Sequence, residues 1–89
     1  MANKRSEHVH LYTCLGEVIS ERRKKLDITQ EELSEESGIN RAFISNVEQG
    51  KRNPSIGAVA SIAKGLKTRP SKLLASCEYC VKEREAKQA

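Results

Sequence analysis

Residues 29–50 carry two helix starts and two helix stops in close succession, and that punctuation restricts the fold more than anything else in the chain. Thr29-Gln-Glu-Glu32 is a capping box. The Thr hydroxyl accepts the amide of Glu32, and the Glu carboxylate reaches back to the Thr amide. Gly38 ends the helix begun there, because glycine enters the left-handed C′ conformation without a Cβ penalty. Asn40 caps the next helix and Gly50 closes it. The spacing predicts two short helices between Gln30 and Gln49, joined by a tight turn, which is a helix-turn-helix. Leu33, Ile44 and Val47 then face inward. Ser34 has to be small where the second helix crosses, and Ile39 fills the gap beside the turn. Arg41, Ala42, Ser45 and Asn46 are left on the outer face of the second helix.

The flanking sequence supplies helices to hold this unit. Leu15, Val18, Ile19, Arg22 (through its stem) and Leu26 recur at helical spacing. Ser55 caps a further helix with Ile56, Val59, Ile62, Ala63 and Leu66 on one face. Pro70 suits the first position of a last helix, in which Leu73, Leu74, Cys77, Cys80, Val81 and Arg84 keep a stripe to about Lys87. No strand signal is present, so an all-α fold of five helices is expected. Residues 1–13 read as an N-terminal extension, 14–75 as the helix-turn-helix domain and 76–89 as a C-terminal helical extension.

At 89 residues with one Phe, two Tyr and no Trp, the chain has room for one aliphatic core. Its charge is unevenly spread. Leu26 to Ser37 holds five acids and no base, whereas Gly38 to Lys72 holds seven bases and one acid, after a basic Arg22-Arg23-Lys24-Lys25 run. Such asymmetry points to a polyanionic partner; a solvated charge run is the plainer reading of the basic tetrad alone. No segment approaches the ~20 apolar residues of a membrane span, and no secretory signal is visible. A cytoplasmic location is expected, with no membrane partner. No phosphate loop, H-E-x-x-H or nucleophile elbow appears, and the acids Glu31, Glu32, Glu35 and Glu36 form a solvated face. No enzyme activity and no cofactor are expected.

Ile28-Thr-Gln-Glu-Glu-Leu33, Ser37-Gly-Ile39 and Phe43-Ile-Ser-Asn-Val-Glu-Gln-Gly-Lys-Arg-Asn-Pro-Ser55 resemble the lambda-repressor-like, or Cro/XRE-type, helix-turn-helix proteins. The resemblance covers about residues 15–75. Within that family the run from Asn40 to Asn53 is also similar to the recognition segment of restriction-modification controller proteins. Two positions depart from the pattern: Ser34 stands where relatives usually have Ala, and Ser37 where an apolar residue is frequent. A buried hydroxyl at either must find a partner.

The resemblance implies a sequence-specific regulator of transcription that lays helix 40–49 in the major groove of double-stranded DNA. Arg41, Ala42, Ser45 and Asn46 then occupy the base-reading positions. Arg suits O6 and N7 of guanine, and Asn suits adenine. Gln30, Lys51 and Arg52 fall at backbone-contacting positions. Phe43 either touches a thymine methyl or sugar, or packs against Val47. Arg23 and Glu48 sit where relatives often form a buried salt bridge, the alternative being an exposed pair of little weight. Relatives dimerise on pseudo-palindromic operators, and a homodimer through Leu73, Leu74, Cys77, Cys80 and Val81 is expected. In the alternative, Val9 and Leu11 fold back over that stripe in a monomer.

Three cysteines without a signal peptide argue against a disulfide framework. Cys14 reads as packing. For Cys77-Glu-Tyr-Cys80, helical spacing favours packing; a thiol switch and a zinc set completed by His8 and His10 are the alternatives, and no metal is assigned. A further alternative is an antitoxin-type protein whose residues 76–89 bind a toxin.

Overall fold

The computed structural model describes residues 8–88. Its helices are α1 (Val9–Lys25), α2 (Gln30–Ser37), α3 (Arg41–Glu48), α4 (Ile56–Gly65) and α5 (Pro70–Gln88), and no strand occurs among the described residues. The caps lie where their chemistry requires. Thr29 and Glu32 complete both bonds of the capping box, and Gly38 takes φ 75° at the end of α2. Asn40 accepts from the amides of Ala42 and Phe43. Ser55 accepts from Ala58 at the start of α4.

A single core joins all five helices. It contains Leu15 and Ile19 from α1, Leu33 from α2, Ile44 and Val47 from α3, Val59, Ile62 and Ala63 from α4, Leu66 just after it, and Leu73 and Cys77 from α5. Each fully buried Leu or Ile contributes ~1.5–3 kcal/mol of transfer free energy. α1 packs against α3 and α5, while α2 packs against α3 and α4. Ile56, expected on the buried face of α4, is instead 71% exposed. As the first residue of the helix it stands one turn short of Val59, where the packed layer begins.

Three further expectations are corrected. First, α1 starts at Val9 rather than near Leu15, so residues 9–13 belong to the helix; residues 1–7 lie outside the described residues. Residues 70–88, by contrast, form one unbroken helix, as the stripe from Pro70 to about Lys87 predicts.

Second, Leu73 and Cys77 are 3% and 0% exposed and belong to the chain's own core, not to a dimer stripe. The helical period separates two faces. Positions 73, 77, 80 and 84 turn towards the molecule, and positions 74, 78, 81 and 85 fall on the next face. Leu74 and Val81 line an open groove of about 580 Å³ with Leu11 of α1. Leu11 therefore borders this face without closing it.

Third, Cys14 and Cys80, 66 positions apart in sequence, form a disulfide with Cα atoms 5.8 Å apart. Local spacing linked Cys80 with Cys77. The tertiary arrangement links it with α1 instead, because α5 runs back along that helix.

Candidate nucleic-acid interface

The end of α1, the start of α2 and the end of α3 meet at one ionic cluster. Arg23 Nε donates to Glu48 Oε2 at 2.8 Å, and Arg23 Nη2 donates to Glu48 Oε1 at 3.1 Å. The third arm, Nη1, donates to the carbonyl of Ile28 at 2.9 Å. Gln30 Nε2 adds a donor to Glu48 Oε1 at 3.0 Å. The side chains of Arg23 and Glu48 are only 13% and 7% exposed, so water screens this fork-to-fork pair weakly. The hydrogen bond to Glu48, reinforced by its charge, raises the Arg23 pKa against the opposing effect of burial. The arrangement fixes α3 against α1 and pins Gln30 between them.

Close approach makes the same junction possible. A Cβ on Gly16 would lie 2.4 Å from the carbonyl oxygen of Val47 and 2.5 Å from that of Glu48. Only glycine lets α1 pass so near the end of α3. Gly16 was not singled out in the sequence, although a glycine inside the helical run Leu15–Val18 is itself a sign of tight packing.

The turn between α2 and α3 resolves both unusual serines. Ser34 Oγ donates to the carbonyl of Ile39 at 2.6 Å, and Ser37 Oγ accepts from the Ile39 amide at 3.1 Å. The two hydroxyls clamp the residue that follows the αL glycine, so neither is left unpaired.

On α3, Ile44 and Val47 are buried while Arg41 and Ala42 are exposed and Ser45 and Asn46 half-exposed. Helical geometry thus separates a core face from the outer face. Arg41 lies 3.8 Å from Glu31, but both side chains are more than half exposed; such a pair holds little energy and yields easily to a competing anion. Phe43 is half-buried against the core, the packing alternative for this residue. The Arg52 guanidinium sits 5.8 Å above its ring, a cation–π contact that steadies an otherwise mobile side chain. Lys51 is exposed. A shallow cleft of about 590 Å³ runs past Lys24, Gln30 and Arg41, beside the first-turn amides of α2, which lack intrahelical partners.

The basic tetrad divides between two roles. Arg22 donates to the carbonyls of Leu66 and Lys67 at 3.0 and 3.1 Å, capping the end of α4, and Arg23 belongs to the Glu48 cluster. Lys24 and Lys25 remain exposed. The C-cap role of Arg22 has no local signature, since its acceptors lie 44 and 45 residues away. The zinc set considered for Cys77, Cys80, His8 and His10 is not assembled. Cys80 is bonded to Cys14, and the Cys77 thiol is buried, its pKa pushed up to about 11.

The geometry is that of a helix-turn-helix module with a solvent-facing second helix, and comparison with known proteins agrees. The helix-turn-helix family profile matches residues 19–73, and the chain belongs to that family, in its Cro/XRE-type branch. Among relatives, the control protein C.SmaI of Serratia marcescens is 37% identical over 60 residues, covering 67% of this chain and 71% of its own length. Among solved structures, the restriction-modification controller C.AhdI from Aeromonas hydrophila superposes with a TM-score of 0.68 at 31% identity. That match covers 70% of this chain and 94% of the controller. The controller C.Esp1396I, solved as a tetramer on its natural 35 base-pair operator, gives 0.74 at 28% identity, covering 80% and 93% of the two chains.

Proposed function

We propose that this protein is a sequence-specific DNA-binding regulator of transcription that acts as a homodimer and belongs with the restriction-modification controllers. The observation that carries the reading is the two-sided α3. Its inner residues Ile44 and Val47 anchor it, and Arg41, Ala42, Ser45 and Asn46 are presented outward where a recognition helix meets base edges. The names of its relatives, C.SmaI and C.AhdI, support the controller assignment. Gln30, Lys51 and Arg52 serve the phosphate backbone, with Phe43 holding Arg52 in place. Such work needs no catalytic group, and a cytoplasmic location suits it; among the described residues no helix is long and apolar enough to cross a membrane.

One module reads too few base pairs to find a single site in a genome. The open face around Leu74 and Val81 is the surface on which a second copy pairs, by a two-fold axis that sets the same patch against itself. Residues 76–88 continue α5 and are tied to α1 through Cys80 and Arg84.

The test is a binding titration against an operator library at two salt concentrations. With ~6–10 phosphates neutralised by a dimer, affinity falls ~10³–10⁵-fold between 50 and 200 mM salt. Asn46→Ala relaxes preference at one base position at a cost of ~1–3 kcal/mol, while Lys51→Ala weakens all sequences alike. Leu74→Glu gives a monomer in sedimentation that retains its helicity and loses operator binding. A flat salt response, or Asn46→Ala and Lys51→Ala with the same library profile, overturns the reading.

A further inference from the structure

The outer part of α5 is held to the rest of the molecule by a small set of links converging on one turn of α1. Cys80 is bonded to Cys14, and Arg84 pairs with Glu17. Of the other side chains, Tyr79, Lys82, Glu83 and Glu85 are exposed and Val81 is half-buried. The last core residue of the helix is Cys77. Beyond it, among the described residues, only a surface ion pair of ~0–1 kcal/mol and the half-buried Val81 supplement the covalent bond.

The two sulfurs differ in access. Cys14 is 0% exposed, whereas Cys80 is half-exposed and stands in the wall of a groove of about 520 Å³ with Glu17, Val18, Ser76 and Tyr79. We propose that Cys14–Cys80 is a reducible latch: a dithiol reductant entering this groove opens it and releases the end of α5, while the helix-turn-helix stays folded.

In the first step a thiolate of the dithiol attacks Sγ of Cys80, and Cys14 leaves as a thiolate that takes up a proton. In the second step the other thiol of the reagent, as its thiolate, attacks the reagent sulfur of the mixed disulfide. Cys80 leaves and is protonated, and the reagent departs as a cyclic disulfide. Two electrons and two protons pass from the dithiol to the protein. Cys77 does not intercept the exchange, because its buried thiol stays protonated near neutral pH and the thiolate is the attacking species.

The latch also bears on pairing, and this part rests on the proposed function. Val81 and Glu85 lie on the segment that the bridge restrains, and both line the open groove with Leu11 and Leu74. Release of the segment takes Val81 and Glu85 away from the face offered to a second copy.

The experiment uses the full chain before and after treatment with dithiothreitol. Under denaturing conditions the protein shows one reactive thiol before reduction and three after. Reduction raises hydrogen exchange of residues 79–88 about tenfold and leaves residues 30–49 unchanged. The dimer dissociation constant rises about tenfold in sedimentation. Cys80→Ser reproduces the reduced behaviour without reagent, and Cys77→Ser leaves the response intact. Three reactive thiols in air-oxidised protein, or unaltered exchange in residues 79–88, overturn the latch. Looser exchange with unchanged self-association overturns its link to pairing. A protein monomeric in both redox states counts against the dimer reading, and the exchange measurement then still decides the latch.

Discussion

The α2–α3 unit and the α1–α5 layer are both helix pairs, yet they are held together in opposite ways. Between Thr29 and Phe43 the side-chain bonds that shape the backbone span five residues or fewer: the Thr29–Glu32 box, the Ser34 and Ser37 bonds to Ile39, and the Asn40 cap. Between α1 and α5 the specific links are Cys14–Cys80 and Glu17–Arg84, 66 and 67 residues apart. The recognition unit takes its shape from neighbouring residues and borrows only its placement from afar, through Arg23 and Glu48. The α1–α5 layer depends on the completed fold for its detail. A unit of the first kind keeps its form while its outer face varies, which suits a reader of base sequence. A layer of the second kind responds to events elsewhere in the chain.

The contrast is most exposed at Glu48, where the local unit meets the distant one. Glu48→Gln leaves Arg23 charged and poorly paired in a nearly buried site and costs ~3–5 kcal/mol. In a domain of this size that lowers Tm by more than 10 °C. A drop of a degree or two in a thermal melt means that α3 is placed without the pair, and the division between local shape and distant placement fails.

Gly16→Ala probes the same junction from the side of α1. A methyl group pressed on the carbonyls of Val47 and Glu48 forces the helices apart at ~1–3 kcal/mol. Chemical denaturation measures the loss. An unchanged or raised midpoint shows that the α1–α3 contact has slack.

Alkali distinguishes the α1–α5 layer. Burial pushes the Cys77 thiol from its ordinary 9.0 up to about 11. Between those values the unfolded chain holds fewer protons than the folded one, so stability is full below pH 9 and declines as pH rises through 11. The loss is on the order of 2 kcal/mol. Urea titrations at pH 8 and pH 10.5, without added thiol, show the slope in the wild type and a flatter one in Cys77→Ala. Equal slopes place the alkaline sensitivity elsewhere.

The smallest effect belongs to the local unit. Thr29→Ala removes one bond of the capping box and costs ~1 kcal/mol, with the loss of exchange protection confined to the first turn of α2. Loosening that reaches α5 in the same measurement contradicts the separation of the two regions.

Much of the candidate interface was legible in residue order because it is built at short range. A hydroxyl three residues before its amide, a glycine at a helix end and apolar residues on a 3.6-residue period are facts of the chain itself. They set α2, α3 and the inward Leu33, Ile44 and Val47 without reference to other elements. The pairing of Arg23 with Glu48 came only through resemblance to a family, since nothing in the spacing of positions 23 and 48 compels it. The start of α1 at Val9 escaped local reading because no cap marks it: His8 makes no side-chain cap bond.

What the tertiary structure alone decided is which partners meet across the fold. It brought Cys80 to Cys14 instead of leaving it beside Cys77, and turned Leu73 inward while Leu74 stayed in an open groove. It spent Arg22 on the end of α4 and made Gly16 indispensable under the end of α3. Each outcome depends on how two helices lie against one another. That is settled by the summed packing of the whole core, and residues distant in sequence have no local geometry from which to read it.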